Sequence, residues 1–139
     1  MNTIVTDAGF APDDWAAGFI PAENWAANDD DSPRAVDVAP DTDLSVLDGN
    51  LDRTALIRIA FPSFADGRGF SLARTLRRMG FTGRLRATGH VLADQYAMAR
   101  RCGFDEVEID DAMAMRQPED QWLARANWQA HDYQAQLRG

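Results

Sequence analysis

The stretch "ALIRIAFPSFADGRGFSLARTLRRMGF" (residues 55–81) decides the fold. Its first part, 55–61, is mostly apolar and β-rich, which predicts a strand buried on both faces. Pro62 ends this strand because proline cannot continue a hydrogen-bonded ladder. A short loop with Gly67 and Gly69 then leads into a segment whose apolar residues recur at helical spacing. The sequence therefore predicts a strand, a loop and a helix in direct succession.

The same unit occurs a second time along the chain. "RRMGF" (77–81) and "RRCGF" (100–104) each end a predicted helix, with glycine in the left-handed position and phenylalanine packing back on the helix. The strands that follow are "RLRAT" (84–88) and "EVEI" (106–109), and the second helix spans 91–102. This alternation predicts an α/β fold with a parallel βαβαβ core and right-handed crossovers.

The two ends of the chain carry weaker signals. "TIVTD" (3–7) and the residues after it predict a strand and its hairpin return, and "RAVDVAP" (34–40) predicts another strand. Asp43 is placed to cap a short helix. Residues 28–34 are acidic and contain proline, which predicts a flexible loop. The whole chain, 1–139, is expected to form one small domain.

The C-terminal residues, 112–139, are predicted to form a helical tail. Pro118 suits the first position of a helix, and two acidic residues follow in its first turn. The helix is expected to reach about residue 137 and to carry a thin apolar stripe, made of Trp122, Ala126, Tyr133 and Leu137. Such a stripe either packs on the sheet or meets a partner.

Composition limits the classes of protein that this chain can represent. Cys102 is the only cysteine, so an intrachain disulfide or a multi-cysteine metal site cannot form. No apolar run approaches membrane-span length and the N-terminus has no signal-peptide pattern, which predicts a soluble, cytoplasmic protein. The net charge of −8 disfavours nucleic acid as a partner. No cofactor motif is present, so no cofactor is predicted.

The charge is unevenly distributed. Residues 1–52 hold one arginine and 12 acids, a net of −11; residues 53–101 hold ten arginines and two acids, a net of +8; residues 102–139 hold three arginines and eight acids, a net of −5. The favoured interpretation is that the ends neutralise the centre. The alternative is that part of the centre faces an anion.

A candidate ligand site follows from the predicted topology. Ligands of parallel α/β sheets bind at the carboxyl ends of the strands, where the loops "PSFADGRGFS" (62–71) and "TGH" (88–90) are expected to meet. Helix N-termini there present free N–H groups, and Ser71 or a neighbour is expected to open the first helix. The candidate ligand-binding residues are Asp66, Gly67, Arg68, Gly69, Ser71, Gly89, His90 and Asp94.

Most of these residues also have a structural interpretation. Asp66 is favoured as a turn carboxylate, Asp94 suits the helix dipole, and His90 is equally suited to cap a helix or to carry a proton. Arg68, flanked by two glycines, is the hardest to explain by packing. The sequence shows no histidine–acid triad around Ser71 and indicates no metal site. Cys102 is predicted to be a core residue.

The block from "LIRIAFPSFADGRGFS" to "GHVLADQYAMARRCGFDEVEI" resembles the bacterial family known as domain of unknown function 934, over residues 35–109. The chain departs from the family at His90, where members often carry aspartate. This departure favours a polar helix cap over a required carboxylate there. The resemblance implies an association with assimilatory sulfite reductase, because family genes lie beside those of sulfate reduction. Some members carry an oxidoreductase label, but no activity is established for the family.

Three functions remain open at this point, and the residues do not decide whether the protein is an enzyme. The leading hypothesis is an accessory protein of assimilatory sulfate or sulfite reduction that binds a small oxyanion, the reductase or another protein of that pathway. The second is an enzyme acting on a sulfur oxyanion or phosphorylated compound, with Arg68 as anion clamp, Asp66 or His90 moving protons, and a borrowed cofactor. The third is an interaction module or homodimer built on Trp122, Trp128 and Tyr133.

Overall fold

The computed structural model describes residues 2–27 and 34–131, which form one seven-stranded sheet against helices. The strands are β1 (Thr3–Thr6), β2 (Gly9–Pro12), β3 (Ile20–Pro21), β4 (Arg34–Val38), β5 (Thr54–Phe61), β6 (Arg84–Gly89) and β7 (Glu106–Ile109). The helices are α1 (Arg68–Arg78), α2 (Tyr96–Cys102), α3 (Asp111–Arg116) and α4 (Glu119–Leu123), with short 3₁₀ turns at Ala22–Ala27, Leu44–Leu47, Leu51–Arg53, Ala93–Gln95 and Trp128–His131.

The spatial order of the strands is β2-β1-β7-β6-β5-β4-β3. Strands β3 to β7 are mutually parallel, so the predicted βαβαβ core is confirmed. The predicted N-terminal hairpin is also confirmed, because β1 pairs antiparallel with β2 and, on its other side, with β7. Asp43 caps its 3₁₀ turn as expected, since its carboxylate accepts the backbone N–H of Ser45.

Both repeated helix ends have the predicted geometry. Gly80 and Gly103 adopt φ of +102° and +113°. The backbone N–H of Phe81 donates to Leu76 at 3.1 Å, and that of Phe104 donates to Ala99 at 3.0 Å, which is the hydrogen bond of a Schellman motif. Each phenylalanine is buried, so the motif both ends a helix and anchors the next strand in the core.

Helices α1 and α2 pack together, and α1 packs on β5. On that face, β5 contributes Ile57, Ile59 and Phe61, and β7 contributes Val107 and Ile109, to one buried cluster. Cys102 is buried in the same cluster, as predicted, and burial raises the pKa of its thiol. The inward-facing side chains of the strands and the apolar side chains of the helices therefore pack in one core.

The other face of the sheet differs from the prediction that β5 is an apolar strand buried on both faces. Alternate residues of four neighbouring strands carry charges there: Asp37, Arg58, Arg84, Arg86, Glu106 and Glu108. Arg86 is fully buried, whereas Arg58 is half-buried. The charges pair across strands: Arg86 Nε donates to Glu106 at 2.6 Å and Arg58 Nε donates to Asp37 at 2.6 Å. Ion pairs therefore bury this face together with a few apolar side chains, such as Leu56 of β5.

An irregular segment, residues 13–19, lies over this charged face and is called the strap here. Asp13 pairs with Arg86 at 3.2 Å and Asp14 pairs with Arg84 at 2.8 Å. The ring of Phe19 lies 3.6 Å from the guanidinium carbon of Arg58. Acidic residues of the N-terminal segment therefore neutralise arginines of the centre, which confirms the favoured interpretation of the charge distribution.

Asp7, at the turn between β1 and β2, connects the hairpin to α2 and the C-terminal segment. Its carboxylate accepts hydrogen bonds from Tyr96 at 2.5 Å, from Arg100 at 3.1 Å and from Trp128 at 3.3 Å. Partial burial works against ionisation, yet these donors hold the pKa of Asp7 below its ordinary value. The turn is therefore fixed by charged and neutral donors together.

The C-terminal segment does not form the single helix that the sequence predicts. Helix α3 ends at Arg116, Pro118 precedes α4 instead of beginning it, and α4 ends at Leu123. Trp122 is 1% exposed and donates to the carbonyl of Gln117, so it is a core residue and not an interface residue. Predicted stripe residues Tyr133 and Leu137 lie outside the described residues.

Two further boundaries differ from the prediction. The second helix begins with the 3₁₀ turn Ala93–Gln95 and becomes α-helical only at Tyr96. Residues 28–33 of the predicted acidic loop lie outside the described residues, while Arg34 is the first residue of β4. Among the described helices, none has the length and apolar character that crossing a membrane requires.

Candidate functional site

The two predicted loops meet at the carboxyl edge of the parallel strands. Phe61, the last residue of β5, lies beside Gly89, the last residue of β6. The backbone N–H of His90 donates to the carbonyl of Phe61 at 2.9 Å. The rings of Phe64 and His90 meet edge to face with centroids 4.8 Å apart. The loops after β5 and β6 thus form one surface.

Asp66 and Arg68 form an ion pair within the first loop. Arg68 Nη2 donates to Asp66 Oδ2 at 2.6 Å and Arg68 Nε donates to Oδ1 at 3.0 Å. Oδ1 also accepts the backbone N–H of Arg68 at 3.1 Å, as the predicted turn carboxylate should. These bonds from Arg68 hold the pKa of Asp66 below its ordinary value, and Asp66 in turn raises the pKa of Arg68.

The guanidinium of Arg68 is oriented but not covered. The side chain is 60% exposed, whereas that of Asp66 is 13% exposed. Asp66 occupies the edge formed by Nε and Nη2, and Arg68 Nη1 makes no hydrogen bond with any residue in 2–27 or 34–131. Arg68 therefore presents Nη1 to solvent in a fixed direction, while its charge is balanced by Asp66.

Helix α1 begins at Arg68, three residues before Ser71, whereas the sequence predicts a start at Ser71 or a neighbour. Neither Gly67 nor Gly69 has a positive φ, so neither glycine is required for a left-handed turn. Gly69 is required for space: a Cβ there would lie 2.4 Å from the ring of Phe61. Ser71 is exposed within α1, and its carbonyl accepts the hydroxyl of Thr75.

The remaining predicted site residues lie in the second loop and beyond it. Gly89 has φ of +101°, and His90 is exposed. His90 is not a helix cap, because Leu92 precedes the 3₁₀ turn. Asp94 lies in that turn as predicted, but it pairs with Arg125 of the C-terminal segment. Asp66 and His90 share no hydrogen bond in the described part of the chain, so the predicted residues form a surface and not one catalytic cluster.

Sequence reasoning missed a groove on the charged face of the sheet. The groove, of about 480 Å³, crosses the carboxyl halves of five adjacent strands and is lined by Pro21, Glu23, Asp37, Val38, Ala39, Arg58, Ala60, Thr88 and Glu108. A smaller cavity of about 160 Å³ adjoins it, shares Thr88 and Glu108, and includes Gly89 and His90 in its lining. The groove and the loop surface therefore occupy neighbouring positions at the same end of the sheet.

The family of bacterial proteins of unknown function DUF934 matches residues 35–139. The chain belongs to this family. No curated protein matches it. The family segment of this DUF934 protein includes the groove residues Asp37, Arg58, Thr88 and Glu108, whereas Pro21 and Glu23 precede it.

One pattern in the DUF934 sequence indicates the charged sheet face on which the groove lies. "RLR" (84–86) and "EVE" (106–108) alternate charged and apolar residues, and parallel pairing places Arg86 beside Glu106. Opposite charges at matching positions of neighbouring strands indicate a charged sheet face. The register of the strands, which the sequence does not supply, is needed to see it.

The close packing of Gly69, at the start of α1, against the ring of Phe61 predicts the effect of a substitution. Gly69→Ala is expected to lower the free energy of unfolding by about 1–3 kcal/mol, the usual range for overpacking a core. The cause is the ring of Phe61, which is buried and packs against Phe70 with centroids 5.0 Å apart. Urea denaturation measures the loss.

Gly67→Ala is the matched control for that measurement. Its Cβ would meet Phe70 only at 4.0 Å, an ordinary contact, so a change within about 0.5 kcal/mol is expected. Equal losses for the two variants would contradict the steric explanation and favour a general cost of alanine in this turn.

Proposed function

We propose that this DUF934 protein is a cytoplasmic accessory protein of assimilatory sulfite reduction that binds sulfite reductase and has no chemistry of its own. The binding surface is the edge where the loops 62–71 and 88–90 meet. The association with the reductase comes from the family resemblance. What the geometry contributes is a reason to favour a protein partner over a free oxyanion.

The proposal rests on one observation: Arg68 forms an ion pair with Asp66 and is still 60% exposed. Asp66 already balances the charge of Arg68, which weakens the attraction of this guanidinium for a small free anion. The same ion pair fixes the direction of the exposed Nη1 before any partner arrives. Such an oriented donor suits a hydrogen-bond acceptor that is itself held in place on a protein surface. The exposed ring of Phe64, 38% accessible, adds an apolar contact beside it.

The enzyme hypothesis is less well supported by this geometry. Arg68 holds Asp66 as a carboxylate with its pKa below the ordinary value, which is the wrong state for a group that must deliver a proton near neutral pH. His90 contacts Phe64, and no carboxylate among residues 2–27 and 34–131 bonds to its ring. Asp66 and His90 therefore lack the geometry of an acid–base pair.

The test is capture of sulfite reductase by the tagged protein from cells grown on sulfate. Arg68→Ala is expected to reduce the captured reductase at least about tenfold, because a charge-assisted bond at the interface is lost. Arg68→Lys should restore part of the capture, since lysine keeps the charge and loses the planar fork. Arg78→Ala, at the exposed end of the same helix, is the control and should change nothing.

Two outcomes would contradict this proposal. One is that wild type captures no reductase, or that Arg68→Ala captures as much as wild type. The other is found by calorimetric titration with sulfite, sulfate and phosphate: if wild type binds one of these anions and Arg68→Ala does not, the loop is an oxyanion site instead. Thermal melts of each variant show whether the fold is retained.

A further inference from the structure

The groove on the charged sheet face lies where an α/β sheet binds ligands, at the carboxyl ends of its parallel strands. Asp37 comes from β4, Arg58 from β5, Thr88 from β6 and Glu108 from β7, so four neighbouring strands form the floor. Glu23, in the 3₁₀ turn after β3, forms part of the wall. The volume of the groove, about 480 Å³, is in the range of small-molecule pockets.

The donors in this floor are already used by neighbouring carboxylates. Arg58 donates from Nε and Nη2 to Asp37 at 2.6 and 2.9 Å, and from Nη1 to Glu108 at 3.2 Å. The ring of Phe19 covers a face of the same guanidinium. Arg58 therefore has little capacity left to hold an anionic ligand.

Acceptors remain available in the groove. The side chain of Asp37 is 43% exposed, although it binds Arg58. Glu23 is exposed and accepts no hydrogen bond from residues of the described segments. Glu108 also lines the groove, but it is buried and already accepts bonds from Asn2, Arg58 and Arg86. The accessible carboxylates are therefore Glu23 and Asp37, and Arg58 is paired with Asp37. The groove is thus built to accept hydrogen bonds from a positively charged group.

The lining also distinguishes an organic cation from a metal ion. Within the described segments, no three His, Cys, Asp or Glu side chains come together in an arrangement that could hold a metal. Pro21, Ala39 and Ala60 add apolar surface beside the carboxylates, which suits the methylene groups next to an ammonium or guanidinium. We propose that this groove binds an organic cation, an ammonium or guanidinium group carried on a short alkyl chain.

The experiment is a titration of the full chain, followed by the amide NMR signals of the groove residues. The probes are n-butylammonium, agmatine and N-acetyl-arginine amide, with butyrate as the anionic counterpart of the first. Saturable shifts at Asp37, Ala60 and Thr88 are expected with the cations and not with butyrate. Stronger binding of the free amines indicates a small-molecule ligand, and stronger binding of the arginine amide indicates a basic side chain of a partner.

Two variants make the test specific. Glu23→Gln removes an exposed charge without removing any bond within the described segments, and it should weaken cation binding by about two- to fivefold. Asp48→Asn, at an exposed residue that does not line the groove, is the control of equal charge change. Asp37→Asn should lose the cations more strongly and gain butyrate, because it frees the Nε–Nη2 edge of Arg58.

The proposal is overturned if no cation binds, if butyrate binds as well as n-butylammonium, or if Glu23→Gln and Asp48→Asn have equal effects. The result is independent of the surface proposed for sulfite reductase, because Arg68→Ala should leave cation binding unchanged. Failure of cation binding in the groove therefore does not contradict reductase binding at the loop surface, and the reverse also holds.

Discussion

Arg86→Met is expected to lower the free energy of unfolding by about 3 kcal/mol or more, the cost of removing one partner from a buried ion-pair network. Arg86 is fully buried and donates to Glu106 at 2.6 Å and to Glu108 at 2.8 Å. Methionine fills similar space but leaves both carboxylates with one fewer cation in a region that water does not reach. Urea denaturation at pH 7 measures the effect.

The same variant should show a distinct pH dependence. In the wild type, burial disfavours ionisation of Glu108, but bonds from Asn2, Arg86 and Arg58 hold its pKa below the ordinary value. The stability that this carboxylate contributes is present above the unfolded pKa of about 4.3 and is lost as pH falls through the lower folded pKa. Without Arg86 the Glu108 carboxylate loses one of these bonds and protonates more easily, so wild type and variant should differ less at pH 4 than at pH 7.

Arg78→Met is the control, because Arg78 is exposed at the end of α1 and should change stability by less than about 0.5 kcal/mol. If Arg86→Met costs less than about 1 kcal/mol at pH 7, the network adds little stability and the charged face is better explained by binding alone. A loss that is equal at pH 4 and pH 7 would mean that lost packing, and not uncompensated charge, is the cause.

Gly89→Ala is expected to destabilise the protein by about 3 kcal/mol, through two effects that add. Gly89 has φ of +101°, where an L-residue costs about 1–2 kcal/mol. A Cβ would also lie 2.6 Å from the carbonyl oxygen of Phe61, and backbone cannot move aside as a flexible side chain can. Thermal and urea denaturation both measure the loss.

Gly80→Ala separates the two effects. Gly80 has nearly the same φ, +102°, but its Cβ would meet no atom within 4 Å. Its loss should therefore be only the conformational part, about 1–2 kcal/mol. If the two variants lose the same stability, the close approach of β5 and β6 at Phe61 contributes nothing, and the loop edge is less tightly fixed than these distances indicate.

The core of the fold could be predicted from sequence because its signals are local. The apolar, β-rich run "ALIRIAF", the helical stripe after it and the repeated Gly-Phe helix ends are each visible in neighbouring residues. The C-terminal segment could not be predicted in this way: its apolar residues fit one long helix, yet Trp122 packs edge to face with Tyr96 and the chain turns after Leu123. Tertiary packing decided where that helix ends.

The site was predicted only in part, for a similar reason. Loop position follows from topology, so the meeting of the loops at Phe61 and His90 was predictable. The groove depends on cross-strand register, since Asp37 faces Arg58 and Thr88 faces Glu108 only after the strands are aligned. A fully buried arginine such as Arg86 is also contrary to the usual exposure of that residue type. Single-sequence patterns do not contain that information.

The position of β7 between β1 and β6 has a consequence for synthesis on the ribosome. Strand β1 is made first, but its inner neighbour is β7, where Thr3 lies beside Ile109 about a hundred residues later. At roughly 5–20 residues per second, the N-terminal hairpin waits on the order of 5–20 s for that neighbour. During this interval Asp7 in the turn and Asp13 and Asp14 in the strap place negative charge beside the unpaired edge, which discourages pairing with other chains.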